Sequence, residues 1–165
     1  MDTVKCLSNC SMNVTPEVLN MVCGINKEAI RIGEFITEKE MRLQTKDGII
    51  VKINYTDGMK GDCYLAVDEF TYNHLVAAMM GIQNVEELDV SKEIKTSAIC
   101  ELMNQLIGNI ISSLTEVSKN IIDISCPEII EQNILHLQKN SKVVINLFTN
   151  PLEAINLKLI NVLEA

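Results

Sequence analysis

The chain has 165 residues and a net charge of −8, and 47% of its residues are hydrophobic but only 4% aromatic. That length and apolar content suffice for one folded domain with a hydrophobic core, and they argue against a disordered chain. The acidic balance and the shortage of aromatic stacking platforms argue against nucleic acid and anionic membrane surfaces as partners.

The N-terminal sequence lacks the pattern of a signal peptide, and no apolar run has the length that spans a bilayer, so we expect a cytoplasmic protein. Its cysteines are then expected to be reduced core residues rather than disulfides. Cys6 and Cys10 are four residues apart, but no second pair or nearby histidine completes a zinc site. We therefore predict no metal site in this chain.

The N-terminal third predicts a loose segment followed by a helix. Residues 1–12 are polar and irregular, which predicts a loose N-terminal arm. Thr15, Pro16 and Glu17 then predict a helix start, with a hydroxyl cap, a proline at the first helical position and an acidic side chain near the positive end of the helix dipole. Gly24 is expected to end this helix.

Alternating polar and apolar residues follow, and they predict three or four antiparallel strands. An Asp-Gly pair at 47–48 predicts a hairpin between strands at 41–46 and 49–55. A second Asp-Gly pair at 57–58 leads into a strand at 62–67.

The second half predicts two helices and further strands. Asp68 caps a helix that runs to about Met80 and is closed by Gly81, and Ser91 precedes the longest helical pattern, at 92–118. Strand-like alternation then returns at 121–125, 143–148 and 155–162. We predict an α+β fold, with two or three helices on an antiparallel sheet, organised as a single domain over residues 1–165.

The long helix is amphipathic. Its apolar half contains Ile99, Leu102, Met103, Leu106, Ile107, Ile110, Ile111, Leu114 and Val117. Glu101 and Asn104 are three residues apart and therefore neighbours on the opposite, polar half. Gly108 lies one turn beyond Asn104 on that half. A glycine inside a helix costs about 1 kcal/mol of stability relative to alanine. Gly108 therefore either allows the backbone of a partner to approach closely or has no function and is tolerated in a long, well-anchored helix.

Four residues around this polar face form an extended pattern. Ser97, Glu101, Asn104 and Pro127 have the spacing Ser-x3-Glu-x2-Asn-x22-Pro. The short pattern Glu-x-x-Asn is a weak signal, because it occurs three times in the chain. The extended pattern resembles the signature of the CheC, CheX and FliY chemotaxis phosphatases, which is Asp or Ser, three residues, Glu, two residues, Asn, twenty-two residues and Pro.

The order of the predicted elements is also similar to that of CheX. CheC-type relatives usually carry two active helices, and here the first helix offers Glu17 and Asn20. The flanking positions hold Asn13 and Leu43, which do not match the signature. The resemblance therefore favours a CheX-like member with one site, in which Glu17 and Asn20 are solvated helix residues.

The resemblance implies a phosphatase that hydrolyses the aspartyl phosphate of a CheY-type response regulator in chemotaxis or related two-component signalling. In this family role, Asn104 positions the attacking water and Glu101 pairs with the lysine of the receiver domain. Ser97 and Pro127 complete the motif and are expected to be structural, and Gly108 is a further candidate support residue. Mg²⁺ is expected on the receiver domain, and no cofactor is expected on this chain. The resemblance also implies a homodimer that forms through an exposed edge strand.

Other functions remain open from the sequence. A non-catalytic adaptor that binds a receiver domain or a component of the flagellar switch is one alternative, because a fold does not fix a function. A plain dimeric structural domain is another. His74 and His136 stand alone, without a nearby nucleophile, and are expected to be surface or helix residues rather than catalytic bases.

Overall fold

The structure, a computed structural model, describes residues 2–44, 48–131, 134–137 and 140–164. Its helices are α1 (Thr3–Cys23), α2 (Glu69–Met79) and α3 (Lys92–Ser118). Its strands are β1 (Arg31–Thr37), β2 (Met41–Gln44), β3 (Ile49–Asp57), β4 (Gly61–Val67), β5 (Asp123–Ile124), β6 (Glu128–Ile130), β7 (Ile134–Leu137), β8 (Lys142–Asn150) and β9 (Ile155–Leu163). No helix in the described ranges is both long enough and apolar enough to cross a membrane.

Within the described residues, seven strands form an antiparallel sheet at the centre of the molecule. Its order is β1-β8-β9-β4-β3-β5, and β6 also pairs with β3. Val51, Leu65 and Leu159 lie on the face that packs against all three helices. The α+β prediction is therefore confirmed, with three helices on one face of an antiparallel sheet.

The prediction of a loose arm over residues 1–12 is wrong for the residues that the structure describes there, since α1 begins at Thr3. The Asp2 carboxylate caps the helix by accepting the backbone N–H of Val4 at 3.1 Å. Val4 and Leu7 are buried in the main core. The helix was not predicted because the segment is rich in polar residues. Several of its hydroxyl side chains nevertheless face inward and are fully buried: Ser8, Ser11 and Thr15.

Pro16 lies inside α1 rather than at its first turn. An interior proline removes one backbone hydrogen bond and generally costs about 3 kcal/mol. The core contacts of α1 offset that cost. The predicted end of this helix is confirmed, because Gly24 is the C-cap residue with φ +66°.

The predicted hairpin between residues 41–46 and 49–55 is also wrong. Asp47 lies outside the described residues, but β2 pairs antiparallel with β7 in a separate sheet of two strands. Leu135 and Leu137 of β7 pack with Ile50 and Ile145 on the face of the large sheet opposite the helices. Burial of these apolar side chains favours the distant β7 over the adjacent β3 as the partner of β2. Strand β7 itself was not predicted from the sequence.

The turn between β3 and β4 and the helices α2 and α3 agree closely with the predictions. The second predicted turn is confirmed, because β3 and β4 are antiparallel partners and Gly58 between them has φ +76°. Asp68 caps α2 by accepting the N–H of Thr71 at 2.8 Å. Gly81 follows the end of α2 with φ +73°. Ser91 is the N-cap of α3, whose bounds match the prediction of residues 92–118.

Candidate functional site

Helix α3 is held in one rotational setting by its buried face. Most of its apolar residues are at most 8% exposed: Ile99, Leu102, Met103, Leu106, Ile107, Ile110, Ile111 and Leu114. Val117 was predicted on this face, but it is 49% exposed because it lies in the last turn, beyond the covered part of the helix. The other predicted core positions of α3 are confirmed.

This setting determines where the two predicted site residues point. Leu102 and Met103, which stand between Glu101 and Asn104, are fully buried. Because a helix turns about 100° per residue, burying these two directs the residues on either side of them outward. Glu101 and Asn104 are both exposed, and their Cβ atoms lie roughly 5–6 Å apart as in any i, i+3 pair.

Three carboxamides lie close together on this part of α3, and the structure distinguishes them. Gln105 donates from Nε2 to Oε1 of Glu101 at 2.9 Å. Asn109 donates from Nδ2 to the backbone oxygen of Gln105 at 2.7 Å. No side-chain hydrogen bond joins Asn104 to another residue in the described part of the chain. The exposed Asn104 side chain therefore offers both an amide donor and a carbonyl acceptor at the surface.

Gly108 lies on the same face, one turn beyond Asn104. A Cβ atom built on Gly108 meets no heavy atom within 4 Å, so nothing in the described fold requires a glycine here. No side chain therefore projects from the helix at position 108, and the backbone of another molecule can approach the surface beside Asn104 closely.

The other two motif residues lie on different elements, Ser97 in α3 and Pro127 after β5. Ser97 is exposed and lies one turn before Glu101. Pro127 lies between β5 and β6, both of which pair with β3. A residue without an N–H suits such an interruption at a sheet edge. The structure therefore places Ser97 on the candidate face and Pro127 in the link between β5 and β6.

The Glu-x-x-Asn pair of α1 is engaged by its own chain. Glu17 forms an exposed ion pair with Lys27 at 3.1 Å. Asn20 donates from Nδ2 to the backbone oxygen of Ile25 at 2.9 Å, next to the end of the helix. Both residues are exposed, as predicted for solvated helix positions.

The Cys23 and Cys63 thiols are buried, and both histidines lie against groups of their own chain. Burial raises the pKa of the Cys23 and Cys63 thiols to about 12, so both are protonated and weakly nucleophilic at neutral pH. His74 contacts the backbone oxygen of Phe70 through Nδ1 at 3.0 Å, and Nε2 of His136 lies 2.6 Å from Oε1 of Glu40. Among the described residues, no cluster of His, Cys, Asp or Glu is suited to holding a metal ion.

A comparison with models of known protein families shows to which family the chain belongs. The model of the family described as chemotaxis phosphatase CheX matches residues 49–149, which is more than half of the chain. The chain belongs to the CheX family. The CheX match includes the whole of α3 and reaches beyond Pro127, so every residue of the candidate site lies inside it.

A curated relative supports the same relationship. The chain is 31% identical over 81 residues to the flagellar motor switch phosphatase FliY of Bacillus subtilis. That alignment covers 49% of this CheX-family chain and 21% of FliY, so the chain spans about a fifth of the length of its relative.

Solved structures share the fold. The chemotaxis protein CheX from Desulfovibrio desulfuricans has a TM-score of 0.75 at 15% identity, covering 96% of this chain and 99% of that one. The CheX-CheY-BeF3-Mg+2 complex from Borrelia burgdorferi has a TM-score of 0.69 at 15% identity, covering 100% and 99%. FliY from Thermotoga maritima has a TM-score of 0.62 at 24% identity, covering 96% and 86%. At these identities the likeness shows that the CheX fold is common to all of them.

Proposed function

We propose that this chain accelerates hydrolysis of the aspartyl phosphate on a CheY-type receiver domain. The observation that carries the proposal is the outward orientation of Glu101 and Asn104 on a helix whose opposite face is buried from Ile99 to Leu114. Membership of the chemotaxis phosphatase CheX family supports it, as does a related protein whose solved structure is a complex with CheY.

Asn104 has the chemistry that the reaction needs. Hydrolysis requires a water in line with the bond from phosphorus to the aspartyl oxygen, and this bond breaks as the new bond from water to phosphorus forms. A carboxamide is not a base at neutral pH, so Asn104 acts by holding the water through its carbonyl oxygen. Its amide is not tied up within the described chain, so it is free to donate to a group on the receiver.

Glu101 has a complementary role at the same interface. Its carboxylate is exposed one turn from Asn104, where it can pair with the lysine of the receiver active site. The receiver supplies the lysine and a bound Mg²⁺, which compensate the charge on the phosphoryl oxygens. This division of labour explains how a short polar face can suffice for catalysis.

The proposal is tested by phosphate release from a phosphorylated CheY-type receiver, with and without the chain. We expect Asn104→Ala to lower the acceleration about 100-fold, since a misplaced nucleophile costs that much, and to leave the unfolding temperature unchanged. Glu101→Ala is expected to raise KM, because it removes a contact that holds the receiver. Asn109→Ala is the matched control, since its carboxamide lies on the same helix but bonds to the helix backbone.

The same assay separates catalysis from a purely adaptor role. The fold is also shared with the FliM middle domain from Helicobacter pylori, at a TM-score of 0.54 and 10% identity, so fold alone does not discriminate between the two. A chain that binds the receiver but leaves phosphate release unchanged would be an adaptor. Full acceleration by the Asn104→Ala variant would refute the assigned mechanism.

We also propose that two copies of the chain associate through β1. Within the described residues, β1 pairs only with β8 and forms one edge of the large sheet. Its exposed side chains include three large apolar residues: Ile32, Phe35 and Ile36, which are 44%, 49% and 43% exposed. An exposed apolar edge strand is a template for strand pairing with a second copy.

A further inference from the structure

Gln105 is a polar residue of the candidate face that no part of the motif includes. Its side chain reaches back one turn and donates from Nε2 to Oε1 of Glu101 at 2.9 Å. The residue is partly exposed and Glu101 is exposed, so the bond lies at the surface. It is a contact between two side chains of the face itself.

This bond contributes little to the stability of the fold. Side-chain pairs four residues apart on an exposed helix face stabilise the helix only weakly. Helix α3 is already fixed by its buried face, in which Leu102, Met103 and Leu106 are fully buried. The main consequence of the bond is therefore for the conformation of the Glu101 side chain.

The chemical type of residue 105 also matters. An amide donor restrains the carboxylate without neutralising it, whereas a lysine at this position would form an ion pair with Glu101 and compete with a cation of the partner. The Gln105 bond engages Oε1 of Glu101, and no hydrogen bond to Oε2 is found among the described residues. A restrained carboxylate loses less rotamer freedom when a partner binds.

We propose that Gln105 is a positioning residue, which pre-orients the Glu101 carboxylate for the lysine of the receiver domain. This inference rests on the proposed function, because it takes the receiver lysine as the partner of Glu101. It adds a residue outside the Glu-x-x-Asn pattern to the recognition of the receiver.

The first test is a double-mutant cycle. Gln105→Met keeps the length of the side chain and its helix propensity but removes the donor. We expect it to raise both KM and the dissociation constant for a receiver loaded with Mg²⁺ and beryllofluoride about twofold, with kcat unchanged. In a Glu101→Ala background the same substitution should have no further effect.

The second test uses charge. Gln105→Lys should weaken binding about tenfold at low salt, because the new ammonium group pairs with Glu101 and repels the receiver lysine. This loss should shrink as salt is raised from about 0.01 M to 1 M, where the Debye length falls from about 30 Å to 3 Å. A merely structural role for Gln105 predicts no such salt dependence.

The outcomes separate this inference from the proposed function. The positioning role alone would be overturned if Gln105→Met caused equal losses of affinity in the wild-type and Glu101→Ala backgrounds. In that case the wild type would still be active and the Asn104→Ala variant inactive, so the proposed function would stand. Wild-type affinity in the Gln105→Met variant would also overturn it. A receiver-binding chain without phosphatase activity would overturn the proposed catalysis, while the cycle in dissociation constants would still decide the role of Gln105. Coupling between residues 101 and 105 in that cycle is the result that we expect.

Discussion

Replacing Gly108 with alanine is expected to stabilise the isolated chain and to impair its action on a receiver domain. A Cβ atom at this position meets nothing within 4 Å, so the fold itself accepts the new methyl group. Alanine is favoured over glycine inside a helix by about 1 kcal/mol. For a chain of this size that gain corresponds to a rise of about 2–4 °C in Tm.

The same methyl group occupies the space beside Asn104 into which a partner would approach. An extra methyl group in a well-packed contact costs about 1–3 kcal/mol. The middle of this range predicts a fall in kcat/KM for the receiver of about 30-fold. Stability and activity should therefore change in opposite directions, which is not expected of a substitution that simply damages the fold.

Gly24→Ala provides a matched control. Gly24 also has open space around its Cβ position, but its φ of +66° is unfavourable for alanine. We expect this variant to lose about 1–2 kcal/mol of stability and to retain the specific activity of the folded chain. Thermal unfolding and phosphate release, measured on both variants, complete the comparison. A Gly108→Ala variant with raised Tm and undiminished kcat/KM would refute the close approach of a partner, and a lowered Tm would refute the open surface.

Two further predictions concern β1. Glu34 accepts hydrogen bonds from Ser8 and Lys5 of α1, and these contacts lower the pKa of its carboxyl group. Glu34→Gln should therefore cost about 0.5–1 kcal/mol at pH 7. Because the folded pKa lies below the unfolded value of about 4.3, this contribution is present above that pH and is lost as the pH falls through the folded pKa. Urea unfolding curves of the two proteins should converge in acid, and a gap that persists near pH 2 would contradict the assignment. Phe35→Glu should convert the proposed dimer to a monomer in sedimentation equilibrium, whereas an unchanged dimer would place the interface elsewhere.

The elements that local chemistry specifies were predictable from the sequence. Helices α2 and α3 begin at side-chain caps, Asp68 and Ser91, whose hydrogen bonds the structure contains. Gly24 and Gly81 end α1 and α2 in left-handed backbone conformations. Each of these signals acts over only a few residues, so it can be recognised without knowledge of the rest of the chain.

Two of the errors arose where distant contacts outweigh local signals. Thr15 and Pro16 have the form of a helix start, but both are buried inside α1. The strand at 41–46 is adjacent to a turn signal, but β2 pairs with residues about ninety positions later in the chain. In both cases the energy comes from burying apolar side chains against remote parts of the fold, which no local pattern contains.

The sequence by itself determined that Glu101 and Asn104 share one face of a helix, because the period of 3.6 residues is a property of the backbone. It also identified their extended motif. Only the tertiary structure decided that this face is exposed at both residues and that Gln105 donates a hydrogen bond to Glu101, while the Asn104 side chain has no such bond among the described residues. These features depend on which side of α3 the core covers and on which side chains meet in space, and both are settled by packing across the whole chain.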